Sequence, residues 1–167
     1  MGWASDNVPL VAMYAIGAWL FVPLGWYWAL AFIALVILSN LWFIASICSH
    51  CVNYDKTTCP SGYGTLSARL SRKGDPKNFP RAFNRNIWVV ALGWALPFVA
   101  GIINVVRAFG NYLALAYSTI PLVAFCVVAF YVVPEMSKDK CRRCVMRRTC
   151  PGARLTGTPA PAKKAKR

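Results

Sequence analysis

Acidic residues are scarce in this 167-residue chain, and charged residues of either sign are few. Five Asp and Glu stand against nineteen Lys and Arg, so the formal net charge is +14, yet only 14% of the residues are charged. A soluble domain normally carries about 25% charged residues. Hydrophobic residues make up 57% of the chain. This composition excludes a large soluble enzyme and a disordered protein, and it indicates a small integral membrane protein.

Histidine and buried charge are almost absent as well. The chain has one histidine, His50, which excludes a bis-histidine haem held by this chain alone. No Asp, Glu, Lys or Arg lies deep in the apolar segments, where pumps and proton-coupled transporters normally place ionisable groups. The sequence also lacks a Walker loop, a His-Glu-x-x-His motif and a Gly-x-Ser-x-Gly motif. These absences favour a non-enzymatic protein.

Long charge-free stretches predict four membrane-spanning helices. Pro23 and Gly25 interrupt the first stretch, and Arg107 lies in the turn that interrupts the second. Backbone groups in lipid must be hydrogen-bonded internally, so such spans have to be helices. The sequence therefore predicts an all-α integral membrane protein whose spans form two hairpins. The four predicted spans are Val8–Val22, Trp26–Ile47, Asn86–Val106 and Asn111–Val133.

Basic residues are distributed unevenly between the segments outside these spans. The loop between the hairpins carries seven Lys and Arg, the segment after Val133 carries eleven, and the Arg107 turn carries one. Cytoplasmic segments of membrane proteins carry an excess of basic residues. We therefore expect a protein of the cell membrane with both termini and the central loop in the cytoplasm. The predicted regions are a first hairpin (1–47), a basic cysteine-containing loop (48–85), a second hairpin (86–133), a cysteine-rich metal-binding segment (134–151) and a disordered basic tail (152–167).

Six of the seven cysteines form two similar motifs, each directly after a hairpin. The match suggests a parallel repeat whose halves are related by a pseudo-twofold axis along the membrane normal. Both motifs would then meet at the cytoplasmic surface. The seventh cysteine, Cys126, lies inside the fourth span and is interpreted as a packing residue. The motifs read Cys48-x-x-Cys51-x7-Cys59-Pro60 and Cys141-x-x-Cys144-x5-Cys150-Pro151.

Paired Cys-x-x-Cys motifs from separate segments supply the four thiolates of a tetrahedral zinc site. The cytoplasm keeps thiols reduced, which disfavours structural disulfides there. A site built from both pairs leaves Cys59 and Cys150 over, either for a second site with His50 or as free thiols. Four arginines interleave with the second motif, and nearby cations lower thiol pKa values. The two pairs are Cys48 with Cys51 and Cys141 with Cys144, and the arginines are Arg142, Arg143, Arg147 and Arg148.

Zinc is preferred over an iron–sulfur cluster because zinc needs no redox partner and the sequence shows none. Cys-Pro also ends the ligand run of bacterial ferredoxins, but their spacing is not reproduced here. An iron–sulfur membrane subunit that transfers electrons to or from a quinone therefore remains the alternative. A thiol–disulfide oxidoreductase that uses Cys-x-x-Cys is the third, less favoured interpretation.

Two basic segments predict contacts with lipid. Thr65–Lys73 has the pattern of a short basic amphipathic helix lying on the anionic cytoplasmic leaflet. The tail 152–167 is rich in Pro, Ala and Thr and ends in a basic run. No aromatic stacking platform accompanies that run, which disfavours specific nucleic-acid binding. The sequence thus predicts an accessory or scaffold subunit of a membrane complex, whose partners are the anionic bilayer and other membrane subunits.

Overall fold

The computed structural model describes residues 3–57, 59, 61–148 and 150–158, with side chains from Asn7 onward. These residues are predominantly helical, and no strand occurs among them. Short 3-10 turns at Val22–Leu24, Cys48–His50 and Pro76–Asn78 connect several of the helices. The helices are α1 (Trp3–Phe21), α2 (Trp26–Ser46), α3 (Tyr63–Leu70), α4 (Phe79–Arg107), α5 (Tyr112–Val127), α6 (Val133–Arg143) and α7 (Pro151–Leu155).

Four helical stretches are long and apolar enough to cross a membrane, which supports a multi-pass membrane protein. The break between the first two falls where the sequence predicts it, at Pro23 and Gly25. Proline has no amide hydrogen to donate, and Gly25 adopts a φ of 133° that L-residues rarely reach. The chain therefore ends α1 at Phe21, and α2 begins at Trp26.

The second pair of long helices extends beyond the predicted spans. Helix α4 begins at Phe79, well before Asn86, and a π-helical segment, Val128–Val132, joins α5 to α6 so that helix continues to Arg143. The sequence criterion detects only the charge-free part of each helix. Its polar continuation is stabilised by pairs one turn apart, such as Lys138 with Glu135.

Helix α1 packs against α2, α4 and α5, and α2 also packs against α4. The centre of this bundle is formed by Met13 and Leu20 of α1 and Phe125 of α5, which are at most 2% exposed. Cys126 is half-buried and packs against the same centre, as expected for a small apolar residue.

Buried asparagine side chains connect the helices. Asn104 Nδ2 of α4 donates to the Leu20 carbonyl oxygen of α1 at 2.6 Å. Trp42 Nε1 of α2 donates to Asn86 Oδ1 of α4 at 3.2 Å. In a membrane such polar contacts replace part of the hydrophobic driving force between helices. They fix the position of α4 against both α1 and α2.

Replacing Asn104 with alanine is expected to loosen α4 from α1. Asn104 is 5% exposed, so its hydrogen bond to the Leu20 carbonyl oxygen is buried. Hydrogen bonds between helices contribute about 1 kcal/mol in membrane proteins. Reversible unfolding in detergent micelles should therefore show a free energy of unfolding lower by about 1 kcal/mol. Asn84→Ala, on the exposed start of the same helix, is the matched control. Equal stability of the two variants would contradict the assignment.

Part of the tail expected to be disordered is folded. Helix α7 and the residues after it lie on the rest of the protein, with Ala153 1% and Thr158 4% exposed. Arg147 Nε donates to the Thr158 carbonyl oxygen at 3.2 Å. These contacts order residues 152–158, the first part of the predicted tail. Residues 159–167, which complete the predicted tail, lie outside the described residues.

Candidate metal centre

The two cysteine motifs lie at the same end of the helix bundle, which we call the cysteine end. It is formed by the turn after α2, the start of α4, the end of α6 and helix α7. A hydrophobic cluster occupies this end, and one or more cysteines from each motif pack against it. The cluster consists of Ile47, Phe79, Phe83 and Met146, and the cysteines packed against it are Cys51, Cys144 and Cys150.

The two motifs share three backbone hydrogen bonds. In each, the amide of the second cysteine donates to the carbonyl oxygen of the first, and the carbonyl oxygens of the second and third cysteines accept from the residue three positions later. All six donor–acceptor distances lie between 2.9 and 3.2 Å. The sequence repeat is therefore matched by a repeat of local backbone geometry. The pairs are Cys51–Cys48, Tyr54–Cys51 and Gly62–Cys59 in the first motif, and Cys144–Cys141, Arg147–Cys144 and Ala153–Cys150 in the second.

Asn53 connects the two motifs. Its backbone amide donates to Cys51 Sγ at 3.5 Å, and its side-chain Nδ2 donates to Cys144 Sγ at 3.9 Å. Asn53 is only 6% exposed, and both contacts are partly buried. The Met146 amide donates to Cys144 in turn, which mirrors the contact of the Asn53 amide with Cys51. The cysteine spacing does not predict a role for Asn53; the available signal is an amide residue two positions after a Cys-x-x-Cys pair.

Burial is the main influence on the pKa values of Cys51 and Cys144. Burial raises the pKa of Cys51, the Asn53 amide lowers it, and the charges of Cys144, Cys59 and Cys150 raise it further. Burial likewise raises the pKa of Cys144, the Met146 amide lowers it, and Cys150, Cys141 and Cys59 raise it. Sulfurs of the two motifs are thus close enough for their charges to interact.

The arginines of the second motif do not lower these pKa values, contrary to the sequence-based expectation. Arg142 Nη1 donates to Asp139 Oδ1 at 3.4 Å, and Arg147 donates to the Thr158 carbonyl. Both cations are therefore engaged by oxygen atoms. The pKa shifts of Cys51 and Cys144 have burial as their largest cause, because the thiols face the apolar cluster.

His50 makes its contacts away from the sulfurs. Its Nδ1 lies 3.0 Å from Ser49 Oγ and 3.2 Å from the Ser46 carbonyl oxygen, at the end of α2. A Cβ on Gly74 would lie 2.7 Å from the imidazole ring, so the chain passes directly over it. These contacts fit a hydrogen-bonding residue at the end of α2.

All six motif cysteines are described with free thiols, and they are half-buried. Within the described part of the chain, no group of three or more His, Cys, Asp or Glu side chains is arranged to hold a metal ion. The sulfurs therefore lie near one another without standing in the close tetrahedron that zinc requires. Metal binding would require these sulfurs to come closer together than they are here.

No protein-family model, curated protein or solved structure matches this chain. Functional assignment therefore depends on the chemistry of the cysteine end and on the four long apolar helices.

Proposed function

We propose that the protein is a non-enzymatic multi-pass membrane protein in which one zinc ion joins the two cysteine motifs at the cytoplasmic face. In this role it serves as an accessory or scaffold subunit of a membrane complex. The observation that carries the proposal is the position of Asn53, which donates to a sulfur from each motif, Cys51 and Cys144. Metal-bound thiolates are commonly supported by hydrogen bonds of this kind from the surrounding shell.

The best-connected set of ligands consists of the second and third cysteines of each motif. Cys51 interacts electrostatically with both Cys144 and Cys150 of the other motif, and Cys144 interacts with Cys59. Cys48 interacts with Cys51 and Cys59 of its own motif. Cys51, Cys144 and Cys150 pack against the hydrophobic cluster of the cysteine end. We therefore place Cys48 and Cys141 at the flanks of the site. The proposed ligands are Cys51, Cys59, Cys144 and Cys150.

A zinc ion at this position would stabilise the folded state. The binding free energy of a structural metal becomes folding free energy, and here it would hold together segments that follow two different hairpins. Phe79 and Phe83 begin α4, whereas Met146 follows α6. A zinc ion bound between these segments would fix the packing of the cysteine end. The protein would then present one stable surface to a partner. The matched hydrogen bonds of the two motifs support a parallel repeat of two hairpins.

Exposed aromatic residues support the placement in the membrane. Tyr112, 92% exposed, begins α5, and Tyr131, 69% exposed, lies nineteen residues later. At 1.5 Å per residue this separation is roughly 28 Å, close to the thickness of a hydrocarbon core of about 30 Å. Tyrosine and tryptophan favour the two membrane interfaces. The cysteine end would then project from the bilayer, and its many basic residues favour the cytoplasmic side.

Elemental analysis combined with a visible spectrum tests the proposal. Protein purified anaerobically in mild detergent should be colourless and should contain about one zinc ion per chain, as four thiolates would hold. Brown protein that contains iron would overturn the zinc assignment in favour of the iron–sulfur alternative. Protein without metal, and without uptake of added zinc, would overturn the metal site altogether.

Zinc affinity is expected to fall as the pH is lowered. Because burial raises the pKa of Cys51 and Cys144, both thiols carry their protons at neutral pH, and zinc must displace those protons. Each displaced proton weakens the apparent affinity about tenfold per pH unit. Titration calorimetry in buffers of different ionisation enthalpy measures the protons released. Affinity that is constant between pH 6 and pH 8 would contradict thiol ligation.

Replacing Asn53 with alanine is expected to weaken zinc binding by about 10- to 100-fold, the range found when outer-shell partners are removed. The variant loses the donor to Cys144 and keeps the backbone amide that contacts Cys51. Competition with a chromophoric chelator measures the affinity. Asn84→Ala, an exposed asparagine on α4, should bind zinc as the parent does. Unchanged affinity in Asn53→Ala would remove the main support for the proposed site.

A further inference from the structure

An open apolar groove runs along the outer face of α2 near the cysteine end. It has a volume of about 470 Å³ and lies between α2, α3 and α4. Leu38 and Trp42 contribute its wall from α2, Val89 from α4 and Leu70 from α3. The groove is independent of the cysteine motifs, since none of their residues lines it. Its dimensions and lining suit a hydrocarbon chain.

Ser39 supplies a polar group inside this groove. Its side chain is 4% exposed, and its Oγ has no hydrogen-bond partner among the described residues. A buried hydroxyl without a partner carries a free-energy cost that a bound acceptor would remove. Ser39 lies three residues before Trp42, so it is roughly 4.5 Å deeper along the helix.

This depth corresponds to the ester groups of a phospholipid. The Trp42 side chain is 55% exposed, and tryptophan at a membrane interface lies at the headgroup level. A hydroxyl one turn deeper stands just inside the headgroups, where the ester carbonyl oxygens of a phospholipid begin the acyl chains. Ser39 Oγ can donate a hydrogen bond to such an oxygen.

Two basic residues lie close in the sequence to residues that line this groove. Arg69 precedes the groove residue Leu70 on α3, and Arg85 lies four residues before Val89 on α4. Residues four apart share one face of a helix, so Arg85 stands one turn above Val89, towards the headgroups. Both arginines are exposed, and neither forms an ion pair with a described residue. Their charge is complementary to an anionic headgroup.

We propose that this groove binds one acyl chain of an anionic phospholipid. The chain lies against Leu38 and Val89, Ser39 Oγ donates to an ester carbonyl oxygen, and Arg69 and Arg85 contact the headgroup phosphate. The occupant is a bilayer lipid rather than a free phosphate, because the groove requires a hydrocarbon chain. The inference rests on the membrane placement and is independent of the metal site.

Native mass spectrometry of the full chain with added phosphatidylglycerol or phosphatidylcholine of identical acyl chains tests this site. The parent should retain phosphatidylglycerol more tightly. Arg69→Gln and Arg85→Gln should each weaken its binding about fivefold and leave phosphatidylcholine binding unchanged. Ser39→Ala should weaken both lipids about two- to fivefold, because the ester carbonyl is common to them.

Arg107→Gln is the matched control, since Arg107 is an exposed arginine at the opposite end of the same helix, α4. Its affinity for both lipids should equal that of the parent. Equal affinity of the parent for both lipids would overturn the proposal, as would a loss in Arg107→Gln as large as in Arg85→Gln. The zinc content and Tm of each variant are measured in parallel, so that failure of the metal site and failure of the lipid site are distinguishable.

Discussion

Replacing Cys51 or Cys144 with serine is expected to remove zinc from the protein and to lower its Tm in zinc-containing buffer. Cys51 interacts electrostatically with Cys144 and Cys150 of the other motif, Cys144 interacts with Cys59, and both Cys51 and Cys144 accept a hydrogen bond from Asn53. A metal present at 1,000 times its Kd stabilises the folded state by about 4 kcal/mol. The variants should lose most of that stabilisation. Metal analysis and thermal unfolding with and without zinc measure the two effects.

Matched cysteine variants separate ligation from general damage. Cys141→Ser changes a motif cysteine that we place on the flank of the site, and Cys126→Ser changes the cysteine that packs in the helix bundle. Both should retain about one zinc per chain and the zinc-dependent rise in Tm. A loss of zinc in Cys141→Ser with full retention in Cys51→Ser would reverse the assignment of ligands and flanks.

The four long apolar helices can be predicted from the sequence, because backbone groups in lipid must be hydrogen-bonded within the span. Spans without charge must be helical, and Pro23 with Gly25 marks the break between the first two. This rule does not predict the polar ends of those helices. Phe79 to Asn86 and Val133 to Arg143 are helical through local pairing and packing at the cysteine end, which hydropathy does not detect.

The sequence predicts which cysteines belong to the candidate metal site, but it does not predict how those cysteines are arranged in space. The spacing of the cysteines identifies two motifs, and two long apolar helical stretches separate them, which is consistent with both lying at one end. Which sulfurs face one another depends on how Phe83 and Met146 pack, a tertiary property. Asn53 could not be inferred for the same reason, since its partner Cys144 is 91 residues away in the chain.

Replacing Gly64 with alanine is expected to disrupt the first cysteine motif. A Cβ at this position would clash with the carbonyl oxygens of both Asn53 and Lys56. These atoms belong to the backbone and cannot rotate away, and the Asp55 amide donates to the Gly64 carbonyl oxygen at 3.0 Å. Overpacking of this kind costs about 1–3 kcal/mol. The displaced segment includes Asn53, so zinc affinity should fall along with the free energy of unfolding.

Gly93→Ala provides the comparison because nothing lies within 4 Å of a Cβ at Gly93, in the middle of α4. Alanine is the better helix former by about 1 kcal/mol, so this variant should keep or gain stability and bind zinc as the parent does. If Gly64→Ala loses zinc affinity while Gly93→Ala does not, the loop around Asn53 positions the sulfurs. Equal zinc affinity and Tm in both variants would mean that the close approach of α3 to Asn53 has no role in the site. The difference between the two glycines thus tests whether the metal centre depends on the backbone of the first motif or on the cysteines alone.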